Sequence, residues 1–108
     1  MPTVGVRGAD LYYETSGDGQ PLLFIHGMCG NANVWDDQVR RLSPRFGCIT
    51  YDRRGHSRST LGDITQRSVE MHADDAAALV DALGIAPCVL VASSGGARIG
   101  VIEAREVD

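Results

Sequence analysis

The residues best suited to chemistry in this chain are Val91-Ala92-Ser93-Ser94-Gly95-Gly96. A β-prone apolar run here turns abruptly into a stretch that can open a helix. A serine held at the tip of such a turn needs small residues two positions before and two after it, because the backbone doubles back too closely for large side chains. Ser94 meets that condition, with Ala92 before it and Gly96 after it. Ser93 does not, since Val91 stands two positions before it. This geometry exposes the Ser94 hydroxyl as a nucleophile and aims the Gly95 N–H, at a helix N-terminus, toward a developing oxyanion. Having Ala rather than Gly in the first small position is a departure from the strictest form of the turn.

A complement lies upstream. His26-Gly27 ends the apolar run Pro21-Leu22-Leu23-Phe24-Ile25, and the glycine lets the chain bend across a sheet edge, leaving the Met28 N–H as a second oxyanion donor. His26 itself is read as a hydrogen-bonded residue that shapes this oxyanion turn rather than as a general base. A third polar segment, Asp52-Arg53-Arg54-Gly55-His56-Ser57-Arg58-Ser59, follows another apolar run. Loops of this kind use Asp and Arg to satisfy their own backbone groups, and that reading is preferred over anion binding. His56 is the one histidine considered as a base for Ser94 within the chain. His72 is expected on a helix, remote from the functional edge and solvated or half-buried. Asp74 and Asp75 are helical neighbours that point about 100° apart, so they form no paired-carboxylate site.

These segments need elements to hold them. Val4 to Arg7 and Leu11 to Thr15 read as an antiparallel hairpin closed by Ser16-Gly17-Asp18-Gly19. Pro21–Ile25, Gly47–Tyr51 and Cys88–Ala92 are runs suited to strands buried on both faces. Between them, Asn31 to Leu42 places Val34, Trp35, Val39 and Leu42 at helical spacing and stops before Pro44. Trp35 is expected to pack on the sheet. Ser68 can cap a helix with the stripe Val69, Ala73, Ala76, Val80 and Leu83, stopped by Gly84. A last helix is expected from Ala97. Strand and helix alternate, which implies an α/β fold: a hairpin followed by a parallel βαβαβα unit, its sheet covered by helices. Function is expected at the carboxyl ends of the strands, where all three polar loops fall.

Together the His-Gly turn, the Asp-x-Arg-Gly-x-x-x-Ser loop and the serine turn, in this order and spacing, resemble the N-terminal half of an α/β-hydrolase. The resemblance runs from about Gly5 to the end. It implies Ser94 as catalytic nucleophile, Met28 and Gly95 as oxyanion-hole donors, and hydrolysis of an ester or related acyl bond without cofactor or metal. Serine at the tip departs from the dehalogenase and epoxide-hydrolase branches, which carry Asp there. In that family the triad acid and histidine follow the nucleophile, whereas the residues after Ser94 include Glu103, Glu106 and Asp108 but no His. The expectation is one incomplete domain over 1–108, inactive by itself and cut after the nucleophile. Cofactor-free peroxidase or lyase chemistry on the same fold is the alternative activity. A non-catalytic fragment or pseudoenzyme that needs a complementing half is the alternative class.

Composition narrows the partners. The 108 residues carry 10 Lys+Arg against 14 Asp+Glu, a formal net charge of -4, which offers no basic face to nucleic acid or anionic membrane. No apolar stretch approaches the roughly 18 residues of a membrane span, and no secretory signal precedes the first strand, so a cytoplasmic protein with a small-molecule substrate is expected. Cys29, Cys48 and Cys88 are odd in number and without a CxxC pair, which suits reduced thiols. A phosphate loop fails in detail: Gly95 and Gly100 have its spacing, but Val101-Ile102 stand where Lys and Ser/Thr are required. Finally, Cys88 to Ala92 is expected to present an unpaired apolar sheet edge, a site of self-association.

Overall fold

The computed structural model describes residues 2–27, 30–60 and 69–92. Five strands and two helices are found there: β1 (Thr3–Val6), β2 (Ala9–Ser16), β3 (Gln20–Ile25), α1 (Asp36–Leu42), β4 (Phe46–Tyr51), α2 (Val69–Leu83) and β5 (Val89–Ala92). They form a single sheet in the order β1-β2-β4-β3-β5. β1 and β2 are an antiparallel hairpin and β2 runs antiparallel to β4, whereas β3 is parallel to both β4 and β5. This is the hairpin plus parallel α/β unit that the alternation of elements implies. Ser94, Met28, Gly95, the Ser68 cap and the helix expected from Ala97 lie outside the described residues.

Each element follows from its residues. Arg7 and Gly8 both have positive φ, 49° and 85°, which defines the tight turn whose twist matches that of the strands it joins. β3 buries Leu22, Leu23, Phe24 and Ile25, between 0% and 7% exposed, after an exposed Gln20 and a half-buried Pro21. Its alternate side chains serve two cores. Leu23 and Ile25 join Leu11, Ile49, Tyr51 and the α2 residues Ala73, Ala76, Leu79 and Val80 on one face. Leu22 and Phe24 join Trp35 and Cys48 on the other. The rings of Phe24 and Trp35 lie 5.2 Å apart and tilted, so Trp35 packs on the sheet.

The helix expected over 31–42 divides in two. Asn31 accepts a hydrogen bond from the Asn33 N–H and starts a 3-10 turn, Ala32–Trp35, before α1 begins. The tighter turn changes the angle between successive side chains, and Val34, assigned to the apolar face by helical spacing, is instead 52% exposed. At the end of α2, Gly84 takes φ 63°. The Ile85 N–H reaches the Val80 carbonyl and the Gly84 N–H that of Asp81, the paired bonds of a glycine-terminated helix.

Candidate active site at the carboxyl edge of the sheet

β3 and β5 pair in parallel with Ile25 opposite Ala92. The chain therefore leaves both strands at one edge, His26-Gly27 directly after β3. The loop after β4 joins them, since Phe24 stands opposite Thr50.

His26 is fully buried and locked by three hydrogen bonds. Its Nδ1–H donates to the Gly27 carbonyl at 2.6 Å, and its Nε2 accepts the Arg53 backbone N–H at 2.9 Å. Arg53 answers by donating from Nη1 to the His26 carbonyl at 3.2 Å. These partners fix one neutral tautomer, and burial, opposed by the Gly27 bond and reinforced by the Arg53 charge, brings the imidazole down to about 4. A neutral ring with both nitrogens engaged has no capacity for general-base work. It ties the end of β3 to the end of β4. The Gly27 carbonyl also accepts the Gly30 N–H, and a side chain at Gly30 would press on His26 and Val34 at 3.3 Å.

The loop after β4 is built around two buried aspartates. Asp52 accepts the Ala32 and Arg58 backbone N–H groups at 2.7 and 3.0 Å and a two-pronged contact from the Arg58 guanidinium at 2.8 and 3.0 Å. Burial pushes its carboxyl up, but these donors together win and hold it below the ordinary value. Arg58 stacks 3.8 Å above the Tyr12 ring. Ser59 closes the loop, donating to the Asp52 carbonyl and accepting the Tyr12 N–H. Arg54, fully buried, grips Asp75 of α2 with two bonds at 2.8 and 2.9 Å and caps the Val6 and Arg7 carbonyls. Arg7 lies between the two neighbours, its guanidinium 3.3 Å from Asp75 and 3.8 Å from the exposed Asp74, while Arg54 holds Asp75 alone. Asp52, Arg54 and Arg58 thus serve the loop's own architecture.

Arg53 and His72 are what the sequence reading missed. His72 is only 3% exposed, and its ring stands 5.9 Å from that of His56, itself 5.1 Å from His26. The expectation that His72 is solvated and remote from the edge is corrected: a helix that follows a strand begins at that strand's carboxyl end, and His72 lies in the first turn of α2. Burial, then the Arg53 charge, lowers its imidazole to about 4. His56, half-buried on the loop, hydrogen-bonds the Arg54 carbonyl through Nδ1 at 3.0 Å. Among the described residues no cluster could hold a metal ion, and no helix is long and apolar enough to cross a membrane.

The strand order, the His-Gly turn and the Asp-Arg loop define an α/β unit with its candidate site where the parallel strands end, and comparison with known proteins gives it a family. The model of the α/β-hydrolase fold matches residues 20–105. The chain belongs to that family. It is 39% identical over 100 residues to the uncharacterized hydrolase YraK of Bacillus subtilis, covering 92% of this chain and 37% of that protein. It is 37% identical to a non-heme haloperoxidase of Rhodococcus erythropolis, covering 97% and 39%. A thermophilic esterase from Thermogutta terrifontis superposes with a TM-score of 0.90 at 28% identity, covering 99% of this chain and 42% of that one. The chain thus spans about two-fifths of the length of the curated relatives it matches.

Proposed function

We propose that Ser94 is the nucleophile of a serine hydrolase acting on an ester or related acyl bond, with the Met28 and Gly95 N–H groups as oxyanion donors. The observation that carries this reading is the parallel pairing of β3 with β5, which opens the His26-Gly27 turn and the segment leading to Ser94 at one sheet edge. A base takes the Ser94 Oγ proton as Oγ attacks the acyl carbon, and the two N–H groups bear the negative charge that collects on the carbonyl oxygen. The leaving alcohol departs with the proton. Water then attacks the acyl-enzyme, releasing the acid and restoring the serine. The His26–Arg53 clamp contributes by holding the oxyanion turn rigid.

The activity belongs to a protein of the relatives' length, in which acid and base complete the triad. The 108 residues alone are expected to show no turnover of an activated ester above a Ser94→Ala control. In the longer protein, Ser94→Ala is expected to lower kcat by a factor of about 10³ or more. Activity retained by that variant would overturn the assignment. The haloperoxidase relative favours a second reading on the same intermediate: hydrogen peroxide replaces water, and the acyl-enzyme releases a peracid. Peroxide-dependent halide oxidation that needs added carboxylic acid distinguishes it.

A further inference from the structure

A pocket of about 240 Å³ lies between the β2–β4 pair and α1. Strand register builds its floor: Glu14 stands opposite Thr50 and Ser16 opposite Cys48, and residues two apart on a strand share a face. Asp36 and Val39, three apart on α1, supply the wall. The lining carries two carboxylates and no basic side chain.

Its acceptors are largely unspent. Glu14 takes the Tyr12 hydroxyl and, at 3.5 Å, Arg58, both on Oε2, so its Oε1 has no partner among the described residues. Asp36 accepts from the Asn33 amide alone among them. Between these carboxylates lies Thr50, a pocket-lining residue only 4% exposed whose hydroxyl makes no hydrogen bond to any described residue. Cys48, 1% exposed, is a free thiol. Burial pushes that thiol up, so it stays neutral and offers no thiolate to a metal ion.

A buried hydroxyl without a protein partner is costly unless something in the pocket satisfies it. An ammonium group has three N–H donors and no acceptor, which matches Glu14, Asp36 and Thr50, while an attached carbon chain lies along Val39 and Cys48. Pockets for drug-sized ligands run from about 300 Å³ upward, so the occupant here is a smaller molecule. We infer that the pocket between α1 and the β2–β4 pair binds a small primary ammonium compound, held by Glu14, Asp36 and Thr50. The inference is independent of the role of Ser94.

The test is a titration of the 108-residue chain followed by its backbone amide NMR shifts. Butylammonium chloride is the probe, with tetramethylammonium chloride and magnesium chloride added separately at matched ionic strength. Butylammonium is expected to give saturable shifts confined to residues 14–16, 36–39 and 48–50. Tetramethylammonium, which has the charge but no N–H, and magnesium are expected to give none. Thr50→Val keeps the shape of the side chain and is expected to weaken binding about fivefold, whereas Glu14→Gln and Asp36→Asn should each weaken it about tenfold or more. The same spectra report whether each variant keeps the fold. No saturable shift with butylammonium, or an equal response to tetramethylammonium or magnesium, would overturn the inference. So would undiminished affinity in the three folded variants.

Discussion

At the scale of single residues, the structure separates charges that hold the loop together from those that do not. Arg54 and Asp75 are both buried and satisfy each other. Arg54→Met leaves the buried Asp75 only its longer, 3.3 Å contact with Arg7 and is expected to cost about 3 kcal/mol, whereas Arg54→Met with Asp75→Leu should recover much of that loss in a denaturant melt. The two low histidines make a second prediction. His26 and His72 are both held near 4 against an ordinary value of 6.5. Above pH 6.5 neither folded nor unfolded chain protonates them, so they leave stability unchanged there. As pH falls from 6.5 toward 4 the unfolded chain takes up protons that the folded chain refuses, and stability drops by roughly 3 kcal/mol per histidine at full extent. Asp52, held low by its donors, adds to the loss at still lower pH. Denaturant midpoints measured across this range check the slope, and His72→Phe should flatten it. In the sequence the self-satisfying character of Asp52, Arg54 and Arg58 was legible, because a polar loop between buried strands must find partners for its backbone. That Arg53 alone of these arginines has no carboxylate partner among the described residues and holds His26 instead was not, since adjacent arginines on one loop look alike until their partners are placed.

Among the elements, β3 was readable because a continuous apolar run needs two covered faces, and it serves both cores; β5 forms where its apolar run predicts, but the burial expected on both faces is not found, since Val89 is 49% exposed and Leu90, Val91 and Ala92 are only partly buried. The α2 stop was readable from Gly84. The segment after Asn31 was not, since helical spacing cannot distinguish a 3-10 turn feeding α1 from one continuous helix. Turn glycines offer a measurable contrast. Gly8 and Gly17 have nearly equal φ, 85° and 84°, but a side chain at Gly8 would meet nothing within 4 Å, while one at Gly17 would collide with the Ser43 and Phe46 carbonyls. Gly8→Ala is expected to lower stability by about 1 kcal/mol through backbone strain alone. Gly17→Ala should cost clearly more, because backbone carbonyls cannot swing aside as side chains do. Thermal melts of the two variants decide this.

For the whole molecule, the sheet order leaves β5 paired with β3 on one side among the described residues, with Val89 49% exposed. The proposal at this scale is that this edge recruits a strand from a second copy. Size-exclusion chromatography of the 108-residue chain should show oligomers, reduced by Leu90→Lys. A monomer at all concentrations would count against it. The sequence by itself determined the class of fold and the edge at which the turn after β3 and the loop after β4 lie together, because hydrophobic runs, turn glycines and the order of elements are local properties of the chain. Only the tertiary structure decided which charges are matched there, that His26 is a neutral latch held by Arg53, and that His72 stands beside His56. Those facts depend on distances between residues far apart in sequence, and on how much water the packed chain excludes from each.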